Sequence, residues 1–224
     1  MRNSGFFITG TDTEVGKTWC SLGLMAKLQQ QGKTVVAMKP VASGCTETTA
    51  GLRNEDALLL QAQGSAPIDY GLINPYAFAP AIAPHIAAEQ SGQRIDINTI
   101  KQNLQRLQQQ AEIVIVEGVG GWQVPINENE SVADLARALD LPVILVVGLK
   151  LGCINHALLS AESIRSAGCR LAGWIANTIN PHMAAMAENI QAIEARIGAP
   201  LLGIVPNQDK LDASGIAASL SLEV

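Results

Sequence analysis

FFITGTDTEVGKTW, residues 6–19, reads as a short apolar run, a glycine-bounded loop and the opening of a helical pattern. A loop of this kind turns backbone NH groups toward phosphate oxygens, sends a lysine to the outer phosphates and lends a Ser or Thr hydroxyl to magnesium. Gly16, Lys17 and Thr18 fit those three roles. Five residues, rather than the four of G-x-x-x-x-G-K-[ST], separate Gly10 from Gly16, so the loop is expected to be one residue longer than the common form. Strand, loop and helix come in the order that places a helix N-terminus, with its free NH groups and dipole, against the anion.

Working outward, apolar runs at residues 6–9, 34–38, 113–116, 143–147, 171–176 and 201–205 have the character of parallel strands buried on both faces. Helical periodicity occupies residues 17–31, 56–63, 97–110, 132–139, 155–167 and 183–197, several ending near glycine. The alternation predicts an α/β fold, a doubly wound and mostly parallel sheet. The glutamine-rich stretch 102–110 resembles low complexity, but Leu104 and Leu107 make it an amphipathic helix. Residues 67–84 carry several prolines and yield no element assignment.

With 224 residues and 48% hydrophobic content, the chain is long enough for one sizeable core, and a single α/β domain over residues 1–224 is the simplest organisation. Cys20, Cys45, Cys153 and Cys169 form no CxxC pair, which argues against a disulfide framework or zinc site and fits a reducing cytoplasm. Arg2 is the one charged residue before the first apolar stretch, which shows no cleavable signal pattern, and no run reaches membrane-spanning length. A net charge of −5 opposes general nucleic-acid binding and points to a small ligand.

Ligands of such sheets bind beyond the strands' carboxyl ends, which selects the remaining candidates. In IVIVEGVGG, Glu117 follows a buried strand, where its carboxylate can face magnesium while Gly118, Gly120 and Gly121 permit close phosphate approach. The alternative role for Glu117 is to cap a neighbouring helix. Lys39 sits between TVVAM and Pro40, where its ammonium can steady an anionic intermediate or simply be solvated; Ser43 and Gly44 add a polar loop beside it. Asp56 lies at the start of a helical pattern, and spacing alone explains it by the helix dipole. In GLKLGCINHALL, Asn155 is a possible helix cap near NH groups that can receive a carboxylate. His85, His156 and His182 show neither metal-ligand spacing nor a triad arrangement.

Taken together, GTDTEVGKT, KPVASG, GLRNEDALLL, NPYAF, VEGVGGW, LPVILVVGLKLGCINHA and the late AGWIAN resemble the dethiobiotin synthetase family over nearly the whole chain. The longer phosphate loop is itself typical of that family. The resemblance implies a fold of the P-loop nucleoside triphosphatase type and a cytoplasmic homodimer. It further implies that the enzyme uses ATP and magnesium to turn 7,8-diaminononanoate and carbon dioxide into dethiobiotin. By the same resemblance Lys17 and Lys39 supply positive charge to the reacting groups, and Thr18, Asp56 and Glu117 hold magnesium. Thr13 and Ser43 match substrate contacts, and Cys153, Ile154 and Asn155 match a helix start that meets substrate from the partner subunit. The implied nucleotide contacts extend over Glu14, Val15, Trp19, Gly118, Val119, Gly120, Asn177, Thr178 and Pro206. Asn207 and Gln208 fall in the same nucleotide loop but are more polar than the family pattern.

Two other classes remain open from sequence. One is an ATP-driven switch of the partitioning or division-site type. Against it, such loops usually carry an additional early lysine, and the C-terminal ASGIAASLSLEV lacks a basic amphipathic face. The other is an amidating enzyme related to cobyrinate diamide synthase, but the chain is too short to add the ammonia-generating domain that such an enzyme needs.

Overall fold

The computed structural model describes residues 5–222; Arg2 and the last two residues of the C-terminal stretch quoted above lie outside them. From the N-terminal side, β1 (Gly5–Gly10) leads through the glycine loop into α1 (Lys17–Gln30) and on to β2 (Val35–Met38). Short elements follow: β3 (Val41–Ala42), β4 (Thr46–Thr48), β5 (Gly51–Arg53), α2 (Glu55–Gln63), α3 (Tyr70–Ile73), β6 (Tyr76–Ala77) and α4 (Pro84–Gln90). Next come α5 (Ile97–Leu107), β7 (Ile113–Glu117), α6 (Val132–Leu139) and β8 (Val143–Gly148). The remaining elements are α7 (Cys153–Ser166), β9 (Leu171–Asn177), α8 (Met186–Ile197), β10 (Leu201–Val205) and α9 (Ala213–Ala218).

Six strands pair in parallel in the order β10-β9-β8-β1-β7-β2, so the predicted sheet is present. The chain winds outward from β1 to β2, returns to β7, then crosses to β8 on the far side of β1. This reversal opens a crevice at the carboxyl end of β1, where the phosphate loop lies. Two small ribbons, parallel β3–β6 and antiparallel β4–β5, are built beside that end.

The strands lack hydrophobic alternation because both of their faces are buried. Successive residues divide between two cores. Phe7, Val36, Met38, Val114, Val116, Leu145 and Val147 pack with apolar residues of α5, α6, α7 and α8. Ile8, Val35, Ala37, Ile115, Ile144 and Val146 pack on the other face with Leu24, Met25 and Leu28 of α1, Leu60 of α2 and Ile216 of α9. Each fully buried aliphatic side chain is worth roughly 1.5–3 kcal/mol, so the sheet is a rigid base for the loops at its end.

Several boundaries differ from the pattern-based expectation. α5 stops at Leu107, and residues 108–110 turn away from the helix, because the buried stripe Ile97, Ile100, Leu104 and Leu107 ends there. α8 begins at Met186, not residue 183, since the Asn180 side chain accepts from the His182 N–H and organises a turn. α7 begins at Cys153 with Gly152 as its N-cap at φ 93°, a left-handed conformation that favours glycine. Asn155 therefore lies within the first turn and is not the cap. The unassigned residues 67–84 contain α3 and β6, which are too short to produce a readable period.

Candidate active site

The phosphate loop leaves β1 at Gly10 and enters α1 through Gly16, whose φ of 85° favours glycine. A Cβ at Gly16 would also collide with the Asn177 amide, so the loop's closing turn requires the missing side chain. Glu14 adopts φ 59°, strain of the kind functional loops retain. The Lys17 ammonium folds back to donate to the Asp12 carbonyl at 2.9 Å. Burial, followed by repulsion from Lys39, lowers its pKa to about 8, while Glu117, Asp56 and Asp12 oppose the shift.

Three elements meet at the foot of this loop. Glu117 ends β7 with 0% exposure, Lys39 follows β2, and Asp56 occupies the first turn of α2. Glu117 Oε1 accepts from Thr18 Oγ1 at 2.9 Å and from Lys39 Nζ at 2.5 Å. Glu117 Oε2 accepts from Ser21 Oγ at 2.9 Å, which completes a buried carboxylate that would be costly unpaired. Lys39 Nζ also donates to Asp56 Oδ2 at 3.0 Å. Burial alone pulls the Lys39 pKa down, but Glu117 and then Asp56 outweigh it, leaving the ammonium above its ordinary value. At Asp56 burial raises the pKa, yet the charge and hydrogen bond of Lys39 bring the net shift below the usual carboxylate range.

These groups line a cleft of about 770 Å³. Of the sequence-derived candidates, Thr13, Glu14, Gly16, Lys17, Thr18 and Trp19 line it from the loop and α1, and Lys39, Ser43, Asp56, Glu117, Val119 and Gly120 line it from the other strand ends. Ser43 Oγ is shielded from solvent and makes no hydrogen bond within the described chain. Val15 and Gly118 lie behind this surface: Val15 is buried and its carbonyl accepts from Asn177 Nδ2 at 2.8 Å. Asn177 and Thr178 stand beside the loop, and Asn207, which follows Pro206, donates to the Thr178 carbonyl at 3.1 Å. Gln208 follows in the same segment, its buried Oε1 without a hydrogen-bond partner among the described residues.

Cys153, Ile154 and Asn155 are not among the cleft residues; they occupy the first turn of α7, where Cys153 is buried and Asn155 exposed. Just before them, Lys150 Nζ pairs with Asp12 Oδ2 at 2.9 Å and ties this turn to the phosphate loop. Sequence reasoning missed Ser21, Asp12 and Lys150, as well as the apolar wall Ala81, Ile82, Ala83 and Pro84. Ser21 lies three residues after Thr18, on the same helix face, and that spacing was the available signal. The wall belongs to residues 67–84, whose placement needs the tertiary fold.

The donors around Lys39 are suited to a hard cation. Two carboxylates already converge on one positive charge, with the Thr18 hydroxyl donating to one of them, and magnesium commonly takes one or two carboxylates while substrate phosphates and water complete its shell. Among the described residues, no three His, Cys, Asp or Glu side chains form a metal cage.

A family model described as "AAA domain" matches residues 4–214. The ATP-dependent dethiobiotin synthetase BioD of Cellvibrio japonicus is 48% identical over 222 residues, covering 99% of this chain and 97% of that relative. The proteins of the same name from Pseudomonas aeruginosa and Xanthomonas campestris are 49% and 46% identical, covering 97% and 99% of this chain and 96% and 99% of theirs. The chain belongs to the dethiobiotin synthetase family. Among solved structures, the MinC:MinD cell division complex of Aquifex aeolicus aligns with TM-score 0.58 at 17% identity, covering 97% of this chain and 86% of that one. The signal recognition particle receptor FtsY of Elizabethkingia anophelis aligns with TM-score 0.53 at 15% identity, covering 98% and 63%. At those identities the likeness extends to the P-loop fold only. Membership of the synthetase family therefore displaces the switch and amidating alternatives that the sequence left open.

Proposed function

We propose that this chain is an ATP-dependent cyclo-ligase that forms dethiobiotin from 7,8-diaminononanoate and carbon dioxide. The observation that carries the reading is the convergence of Lys39, Thr18, Asp56 and Glu117 at the foot of the phosphate loop, inside a cleft with polar and apolar walls. One unprotonated substrate amine attacks carbon dioxide, loses a proton and becomes a carbamate. A carbamate oxygen then takes the γ-phosphoryl group from ATP and releases ADP. The second, unprotonated amine attacks the carbamate carbon, phosphate leaves with the C–O electron pair, the attacking nitrogen gives up a proton, and a cyclic urea closes.

No protein nucleophile is needed, so catalysis rests on positioning and on neutralising oxygen-centred charge. Lys17 and Lys39 provide that charge, Lys39 with its ammonium kept protonated by Glu117 and Asp56. Thr13 and the unpartnered Ser43 hydroxyl orient the substrate, while the wall from Ala81 to Pro84 excludes water beside its alkyl chain. Thr18, Asp56 and Glu117 hold magnesium, which on binding supplies charge neutralisation for the nucleotide phosphates. Glu14, Val15, Gly16, Trp19, Gly118, Val119 and Gly120 surround the phosphates. Asn177, Thr178, Pro206, Asn207 and Gln208 face the nucleotide's base end.

The reading includes one α/β domain, a homodimer and a cytoplasmic setting. The dimer is supported by the exposed Leu151, in the turn before α7, and by the exposed Leu159, which shares one side of α7 with Asn155. In that dimer Cys153, Ile154 and Asn155 approach the partner's substrate. The cytoplasmic setting accords with four free cysteines, and no helix among the described residues is long and apolar enough to cross a membrane.

Incubation with ATP, magnesium, bicarbonate and 7,8-diaminononanoate should yield dethiobiotin by mass spectrometry and ADP in equal amount. ATP hydrolysis that ignores the diamine, with no dethiobiotin formed, would overturn this assignment.

A further inference from the structure

Lys39 and Asp56 meet across a segment that is anchored by β3 and Cys45 against residues 76–80 and then leaves the body of the fold. Residues 46–50 of the intervening chain are all exposed and belong to the projecting β4–β5 ribbon and its turn. The restraint comes instead from residues 70–76, YGLINPY. Asn74 is only 4% exposed, so its amide would be costly to bury without partners. Its Nδ2 donates to the Lys39 carbonyl at 2.7 Å, and its Oδ1 accepts from the Tyr70 hydroxyl at 3.0 Å. The Tyr70 oxygen in turn accepts the Asn54 backbone N–H at 2.8 Å.

Asn54 is the N-cap of α2, and its side chain accepts from the Ala57 N–H at 3.1 Å. Asp56 lies between those two residues and reaches Lys39 Nζ at 3.0 Å. The circuit therefore closes on itself: Lys39 backbone, Asn74, Tyr70, the α2 cap, Asp56 and the Lys39 ammonium. A second tie, from the Lys39 N–H to the Ile73 carbonyl at 2.8 Å, fixes the same strand end. The Arg53 guanidinium lies 4.2 Å from the Tyr70 ring centroid and holds the ring from above. Burial raises the Tyr70 pKa, which keeps the proton that Asn74 receives.

We propose that Tyr70 and Asn74 are positioning residues that set the separation of Lys39 and Asp56, and through it the cation and carboxylate at the foot of the phosphate loop. The inference rests on the site assignment above. Neither residue is among those lining the cleft, so their effect on the reaction is transmitted through Lys39 and α2.

The test compares wild type, Tyr70→Phe and Asn74→Ala in the full-length protein. Tyr70→Phe keeps the ring under Arg53 and removes only the hydroxyl. Its kcat for dethiobiotin should fall about tenfold while KM for ATP stays within about twofold, the signature of misplacement without lost nucleotide contacts. The magnesium concentration that half-saturates ATP binding, measured by calorimetry, should rise severalfold, and Asn74→Ala should shift it further. A lower melting temperature in Tyr70→Phe, with kcat and the magnesium curve at wild-type values, would reduce the circuit to a structural role and overturn the proposal. If wild type binds ATP with magnesium but makes no dethiobiotin, the functional reading fails while the binding curves still decide this one. A shifted curve in Tyr70→Phe supports it, and superimposable curves overturn it.

Discussion

Lys39 is stable as a buried cation because two carboxylates and an ordered backbone surround it; removing it would leave Glu117, at 0% exposure, without its strongest partner. Breaking a buried pair from one side typically costs about 3–5 kcal/mol. Lys39→Ala should therefore melt at lower temperature, and added magnesium should recover more stability in the variant than in wild type. ATP should still bind through the loop, while dethiobiotin formation falls at least about a hundredfold. Near-normal turnover would remove Lys39 from the chemistry. At this scale, Lys39 and Glu117 were legible because each ends an apolar run, whereas spacing alone left Asp56 to the helix dipole and only the family resemblance marked it as a magnesium ligand. Its place in the first turn of α2 satisfies that dipole equally well, and the 3.0 Å contact with Lys39 is what the fold adds.

Elements with a strong period and a cap were readable; those held by neighbours were not. α6 begins with a reciprocal capping box, in which Ser131 accepts from the Asp134 N–H and Asp134 accepts from the Ser131 N–H at 2.9 Å. Ser131→Ala should cost about 1 kcal/mol in chemical denaturation. The hydrogen bonds from Ser131, ahead of burial, which opposes them, and of the Arg137 charge, set the Asp134 pKa below its ordinary value. A carboxylate lowered on folding stabilises above its unfolded pKa and loses that contribution as pH falls through the folded value. The deficit of Ser131→Ala should hence be full near neutral pH and shrink on acidification below about pH 4. A deficit that stays constant down to about pH 2 would assign the cap's value to the serine hydroxyl alone. By contrast, α3 is a single turn whose Tyr70 and Ile73 are placed by contacts with α2 and β2, so no local pattern announces it.

For the whole molecule, the reversal of strand order at β1 collects residues from β1, β2, α2 and β7 at one crevice, although Thr18 and Glu117 are 99 positions apart. The proposed dimer belongs to the same scale. Leu159, 57% exposed on α7, should lie in the subunit contact, so Leu159→Asp should sediment as a monomer. It should keep ATP binding yet lose most turnover, because the α7 start would no longer reach the partner's substrate. A dimer of wild-type activity in Leu159→Asp would exclude this face.

The amino-acid sequence alone determined the strand and helix alternation, the lengthened phosphate loop and the strand-end charges, because buried parallel strands, glycine turns and phosphate cradles impose local composition and spacing. Only the tertiary structure decided that Asp56 meets Lys39, that Ser21 completes the Glu117 shell, that Gly152 rather than Asn155 caps α7, and that Tyr70 and Asn74 brace the site. Those relations join side chains and backbone groups across separate elements, and a one-dimensional period carries no information about distances between them.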